Sequence, residues 1–197
     1  GSRRQRPPEL MDKGAECLRV KRQDINTVRI AGEGRLSILG KKASFWLLHA
    51  ATLGPVGRIP FAPGTWGSLV AVLSAPWLLG SLPLLWRLIL IVALFFIGSW
   101  ASHAAEGILG QKDPGSVVID EFCGQLLVFC FFTHPAGWQL GAGFVLFRIF
   151  DICKPWPVGA SESWLPSGYG IMLDDILAGG YAALTLFLLQ LLVHWVQ

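Results

Sequence analysis

The sequence predicts an all-α, membrane-embedded, compact bundle of about six helices, some short and broken, with at least one full transmembrane helix. Three observations carry that expectation. Hydrophobic residues make up 53% of the 197 positions and charged residues 15%. Such a chain is too apolar to be disordered and unusually apolar for a soluble domain. Gly and Pro cut the apolar sequence into runs of helical length, at Gly54-Pro55, Pro76, Pro83, Thr133-His134-Pro135 and Lys154-Pro155-Trp156-Pro157. The last run, Ile176 to Val196, has only Gln190 and His194 as larger polar residues and is long enough to cross a bilayer.

Charge divides the chain in two. Residues 1–42 carry eleven Lys/Arg against five Asp/Glu, and residues 43–197 carry five against eight. The first segment shows no sustained period and reads as a basic, weakly structured arm; the second reads as the helical membrane domain. Beside an apolar body, a basic arm suits attraction to anionic lipid. No zinc or aromatic motif supports a nucleic-acid partner.

In chain order, Phe45 to Leu53 is too short to span and reads as a helix lying in the interface. Arg58 to Ser68 reads as a loop feeding a short helix over Leu69 to Leu79, interrupted by Pro76. In that loop Gly64, Thr65, Gly67 and Ser68 are placed to offer N–H groups and hydroxyls to an anion. Thr65 or Ser68 would equally serve as a helix cap. Leu84 to about Glu106 forms a long helix, with Arg87 near its start reaching to the interface. His103 and Glu106 share a face of that helix and either join the polar site or, the favoured reading, mark the helix's exit into water. Asp113-Pro114 reads as the start of a helix running to Phe132, with Asp120 and Glu121 in its second turn. Trp138 to Cys153 is the next helix, carrying Arg148, Asp151 and Lys154 along one side. Residues 158–170 read as a loop, and Asp174-Asp175 open the final helix. Cys123, Cys130 and Cys153 lie in apolar runs and are expected to be buried. With Cys17 they show no CxxC spacing and no disulfide framework.

Five carboxylates in apolar contexts set the chemistry: Asp120, Glu121, Asp151, Asp174 and Asp175. An ionised carboxylate in such surroundings is costly without a compensating partner. Only Arg148 and Lys154 lie near them in sequence. A hard cation held by carboxylate oxygens, Mg²⁺ above all, makes up the deficit. Because Mg²⁺ keeps waters and takes few carboxylates, some of the five would act beside the metal rather than on it. Arg148, Asp151 and Lys154 read either as a self-satisfied ion-pair network or as a metal ligand at Asp151 beside two bases, Arg148 and Lys154, for a phosphoryl group. A divalent-cation channel using the same acids is an alternative, although two bases beside them would repel a permeating cation. A soluble helical phosphatase, its apolar runs buried in a core, is another.

Four ordered blocks bear on this choice: Pro63-Gly64-Thr65-x-Gly67-Ser68; Asp113 with Val118-Ile119-Asp120-Glu121-x-x-Gly124; Phe147-Arg148-x-x-Asp151-x-x-Lys154-Pro155-x-Pro157; and Gly170-Ile171-Met172-x-Asp174-Asp175-x-x-Ala178-Gly179. Together they resemble the phosphatidylglycerophosphatase A family of bacterial membrane lipid phosphatases, over roughly residues 43–197. The resemblance implies Mg²⁺-dependent hydrolysis of phosphatidylglycerophosphate to phosphatidylglycerol and inorganic phosphate. It implies a multi-pass protein of the bacterial inner membrane with its site facing the cytoplasm. Asp120, Glu121, Asp151, Asp174 and Asp175 would hold metal. Asp120, Glu121, Arg148, Asp151 and Lys154 would carry the reaction. Gly64, Thr65, Gly67, Ser68, Arg148 and Lys154 would bind the substrate phosphate. Either a metal-activated water or a carboxylate of Asp120 or Asp174 would serve as nucleophile. Oligomeric state leaves no mark on the sequence.

Overall fold

The computed structural model describes residues 40–165 and 168–196. Most of the basic arm expected over residues 1–42 therefore lies outside the described residues. Those residues fold into seven α-helices with no strand among them: α1 (Lys41–Ala51), α2 (Pro63–Gly80), α3 (Leu84–Leu109), α4 (Ile119–Phe129), α5 (Gly137–Cys153), α6 (Val158–Ser161) and α7 (Gly168–Val196).

Helix α4 sits at the centre and packs against α2, α3, α5 and α7. Its sequence explains this place. Ile119, Asp120, Cys123, Gly124, Gln125, Leu126, Val128 and Phe129 are all buried, so it is covered on every side rather than along one stripe. At eleven residues it is about 16 Å long, too short to cross a bilayer. Helices α3 and α7 have 26 and 29 residues, and both are long and apolar enough to cross a membrane. Only 28% of the apolar window of each is buried inside the protein. The soluble-core alternative needs those windows covered, and they are not. Their exposed Leu, Ile, Phe and Trp side chains call for lipid.

The helices alternate in direction. A Cβ at Gly80, the end of α2, would lie 3.7 Å from the Thr133 carbonyl just beyond α4. At the opposite end, Gly67 of α2 packs on Val118 before α4, and Gly168 of α7 packs on the carbonyl of Ser99 in the second half of α3. Thus α2–α3 and α4–α5 are two antiparallel hairpins. The starts of α2, α4 and α7 meet the end of α5 at one end of the bundle.

Several boundaries differ from the sequence reading. The helix expected from Pro114 begins at Ile119. Asp113 adopts a left-handed conformation (φ 48°), and its N–H donates to Glu106 Oε1 at 3.2 Å. The Val118 N–H donates to the Ala51 carbonyl of α1 at 2.9 Å, so the helical ladder starts only after it. Helix α2 begins at Pro63 and runs through Pro76. The bond lost at Pro76 is outweighed by burial of Ala71, Val72, Ala75 and Leu79 around it. Residues 158–161 form the short α6 inside the expected loop, and α7 begins at Gly168, well before Asp174. Cys123 and Cys130 are buried as expected, but Cys153 is exposed, next to the exposed Ile152 at the outer side of the end of α5.

Arg87 does not reach to the interface. It is buried and donates from Nε to the Leu82 carbonyl (2.7 Å) and from Nη1 to the carbonyls of Cys130 (3.2 Å) and Phe132 (2.9 Å). The last residues of α4 have no further helical turn to bond their carbonyls, and the guanidinium fork supplies the donors. Replacing Arg87 with Met should therefore cost about 2 kcal/mol or more of stability, since buried carbonyls lose their partners. The same change at exposed Arg58 should stay within about 0.5 kcal/mol. Thermal unfolding of both variants in detergent micelles measures the difference.

Candidate functional site

The polar end of the bundle gathers the residues that the sequence singles out. Asp120 and Glu121 occupy the first turn of α4, and Asp175 comes from the second turn of α7. One ligand oxygen from each lies within 4.8 Å of the others. What brings them together is a pair of glycines. A Cβ at Gly124 would fall 2.5 Å from the Asp175 carbonyl, and a Cβ at Gly179 would overlap the Gly124 carbonyl. The absence of both side chains lets the α4 and α7 backbones touch one turn below the acids.

The other two acids have cations of their own. Arg148 Nη1 lies 2.7 Å from Asp151 Oδ2, one turn along α5. Lys154 Nζ donates to Asp174 Oδ2 at 2.5 Å and lies 3.8 Å from Glu162 Oε2. Lys154 ends α5 in a left-handed conformation (φ 42°), with its N–H returning to the Phe150 carbonyl. Such a conformation is uncommon for a residue with a side chain and concentrates at functional positions. Burial alone would lower the Lys154 pKa. The Asp174 hydrogen bond and charge, with Glu162, override it and hold the ammonium protonated well above its usual range.

The five acids thus divide. Asp151 and Asp174 are neutralised by Arg148 and Lys154, whereas among the described residues no Lys or Arg lies within ion-pairing distance of Asp120, Glu121 or Asp175. Glu121 Oε2 and Asp175 Oδ1 are buried without any hydrogen-bond partner. Asp120 is 5% exposed and accepts only the N–H of Glu121, at 3.1 Å. Burial first, and then the neighbouring Glu121 charge, push its carboxyl well above the usual range. Buried carboxylates with orphaned oxygens facing one another fit a hard divalent cation: the donors are all oxygen, and the missing positive charge is what they lack.

Helix α2 lines the other side. Its first turn contains Gly64, where a Cβ would overlap Glu121 Oε1, so the glycine makes room for that carboxylate. Ser68 Oγ donates to the Gly64 carbonyl at 3.0 Å and receives Arg148 Nη1 at 3.4 Å. Gly67 packs on Val118 just before the acids. Thr65 is half-buried in the first turn, with its N–H closed onto the Ala62 carbonyl at 3.0 Å. These four residues belong to the helix itself rather than to a loop before it. Neither Thr65 nor Ser68 caps it, because the N-cap position is Ala62.

Sequence reasoning missed Glu162, which reads as part of a solvated Gly/Ser/Pro loop, and, although Gly179 falls within a matching block, missed its role, which exists only against α4. It also missed Gln125, fully buried with neither side-chain atom partnered. Glu106 stays out of the three-carboxylate group. It faces His103 at 4.0 Å and accepts the Asp113 N–H, closing the exit of α3.

Comparison with known proteins bears on what this end of the bundle serves. No solved structure matches the chain. A phosphatidylglycerophosphatase A of Haemophilus influenzae is 38% identical over 134 residues, 68% of this chain and 82% of that protein. A phosphatidylglycerophosphatase A of Escherichia coli is 37% identical over 158 residues, 79% of this chain and 88% of that protein. A Bacteroides thetaiotaomicron protein provisionally named a phosphatidylinositol-3-phosphatase is 38% identical over 162 residues, 79% of this chain and 98% of that protein. The family model described as Phosphatidylglycerophosphatase A matches residues 49–190, a span that takes in Gly64, both acid pairs, Arg148 and Lys154, and the chain belongs to that family.

Proposed function

We propose that the protein is a Mg²⁺-dependent lipid phosphatase that hydrolyses phosphatidylglycerophosphate to phosphatidylglycerol and inorganic phosphate. The observation that carries this reading is the group of Asp120, Glu121 and Asp175, two of them buried and Glu121 half-buried, none paired with a Lys or Arg among the described residues. It sits beside Arg148 and Lys154 at one end of a lipid-exposed bundle. Family membership supplies the phosphate monoester and the lipid. The close contact of Gly124 with Gly179 closes the seam directly below the acids, which supports a reaction centre over a cation pathway.

Asp120, Glu121 and Asp175 would hold the metal. Bound there, Mg²⁺ supplies charge neutralisation of phosphate oxygens and lowers the pKa of water. Asp151 and Asp174 hold Arg148 and Lys154 in place, and these two cations draw in the phosphate and take charge developing on its oxygens. Gly64 and Thr65 present the positive end of α2 to the same group, while Gly67 packs that helix against α4 and Ser68 orients Arg148. A carboxylate of the cluster accepts a proton from the attacking water. The new P–O bond forms as the bond to the glycerol oxygen breaks, and the carboxylate passes the proton taken from water to that oxygen, which leaves as the lipid alcohol.

The site would face the cytoplasm of a bacterial inner membrane. Arg58, Lys112, Arg148 and Lys154 belong to segments at the polar end, against Arg87 alone at the far end among the described residues, and positive residues favour the cytoplasmic side.

In detergent micelles containing phosphatidylglycerophosphate, phosphate release should need Mg²⁺, stop with EDTA and return on re-addition. Asp120→Asn should lose both turnover and Mg²⁺ binding by titration calorimetry while keeping its thermal stability. Release that persists in EDTA would overturn the metal assignment. A second comparison isolates geometry. Gly64→Ala pushes a methyl group into the Glu121 carboxylate and should lower turnover by about 100-fold. Gly115→Ala, where the added methyl meets nothing within 4 Å, should leave turnover unchanged.

A further inference from the structure

The two helices that bring the acids together continue past them as a shared seam. Asp120 lies near Asp175, Gly124 touches Gly179, and further along Leu127 of α4 and Phe131 just beyond it line one groove with Gly180, Ala183, Leu184 and Phe187 of α7. Contacts advance in the same direction along both chains, so the helices run parallel from the acids toward the far end. Beyond the glycine contact the seam opens into a groove of about 490 Å³, lined by Leu127, Phe131, Gly180, Ala183, Leu184 and Phe187.

Three properties define what fits there. The lining presents only apolar side chains and a glycine, so no headgroup has a partner in it. Phe131, Leu184 and Phe187 are about half-exposed, so the groove opens sideways to the surroundings of the bundle rather than to a sealed core. Leu127 lies seven residues beyond Asp120 on the same face of α4, about 10 Å along the axis. That offset suits the distance between a reacting phosphate and the acyl chain of its own lipid. The volume falls within the range of small-molecule sites, about 300–1,000 Å³.

We propose that this groove seats an acyl chain of the substrate lipid and aligns its phosphate with the acidic cluster. The proposal rests on the lipid-phosphatase reading and deepens it. In a membrane the chain gains no hydrophobic energy on leaving bulk lipid, so the groove acts through packing and its effect is one of selection rather than tight binding.

Gly180 supplies the test. It is exposed, and a Cβ there meets nothing within 4 Å, so Gly180→Leu fills the groove without disturbing the backbone. The readout is the ratio of kcat/KM for dioleoyl- over dihexanoyl-phosphatidylglycerophosphate in mixed micelles. Gly180→Leu should lower that ratio about threefold or more, mainly through KM for the long-chain lipid. Gly141→Leu, on the exposed side of α5 and equally free of contacts, should leave the ratio unchanged. An unchanged ratio in Gly180→Leu would overturn the proposal.

A second readout does not depend on turnover. Phosphatidylglycerophosphate with a mid-chain diazirine, photolysed with the wild-type protein, should label Leu127, Phe131, Leu184 or Phe187 in competition with unlabelled lipid. Label spread evenly over the exposed faces of α3 and α7 would show bulk lipid only. A dimer in detergent that Gly180→Leu dissociates would assign the groove to a second copy. Either result overturns the acyl-chain assignment. Should the wild type release phosphate from neither lipid, the enzymatic reading fails by itself, and the labelling pattern still decides the groove.

Discussion

Everything at the polar end depends on two backbones touching. Gly124 of α4 and Gly179 of α7 leave no side chain between them, and the helices approach until one's carbonyl meets the other's Cα. Close approach through small residues is the usual way helices associate where lipid removes the hydrophobic drive between them. Its effect here is electrostatic. Carboxylates one turn above the contact are forced within 4.8 Å of each other, a spacing that like charges resist. The packing energy of the seam holds them there.

The separation of paired from unpaired acids follows from which helix ends meet. Arg148 and Asp151 are three residues apart on α5, so their ion pair is local. Lys154 reaches Asp174 only because α5 ends in a left-handed turn beside α7. Asp120 and Asp175 face the middle of the convergence, where neither base reaches. The result is a negative core with a positive rim, an arrangement suited to holding a cation beneath an anion.

Much of this is legible in the sequence, for a definite reason. Carboxylates inside apolar runs are expensive, and that cost alone marks all five acids. The Arg148–Asp151 pair is readable from helical spacing, and the helix expected over Trp138–Cys153 matches α5 to within one residue. The start of α4 is not readable. Asp113-Pro114 carries good helix-start chemistry, but the Val118 N–H is taken by the Ala51 carbonyl, a tertiary bond that no local signal encodes. The same holds for Pro63 and Pro76. Pro63 opens α2 where the residues read as a loop, and burial carries the helix through Pro76. Which acids pair with bases across helices is equally hidden, since Lys154 and Asp174 meet only through the fold. Arg87 misleads because, at the start of an apolar run, an arginine that reaches water and one that binds carbonyls look alike.

The placement of Arg87 bears on how the two hairpins hold together. Among the described residues it is the only Lys, Arg, Asp or Glu at the far end, so it is the one full charge that the fold must satisfy away from the acids. The α2–α3 hairpin brings one acceptor for it, the Leu82 carbonyl. The other two, from Cys130 and Phe132, arrive with the second hairpin. An arginine left partly unsatisfied in lipid is a strong attractor for free carbonyls. Arg87 therefore ties the α2–α3 hairpin to the end of α4, and its hydrogen bonds are complete only once both hairpins are in place.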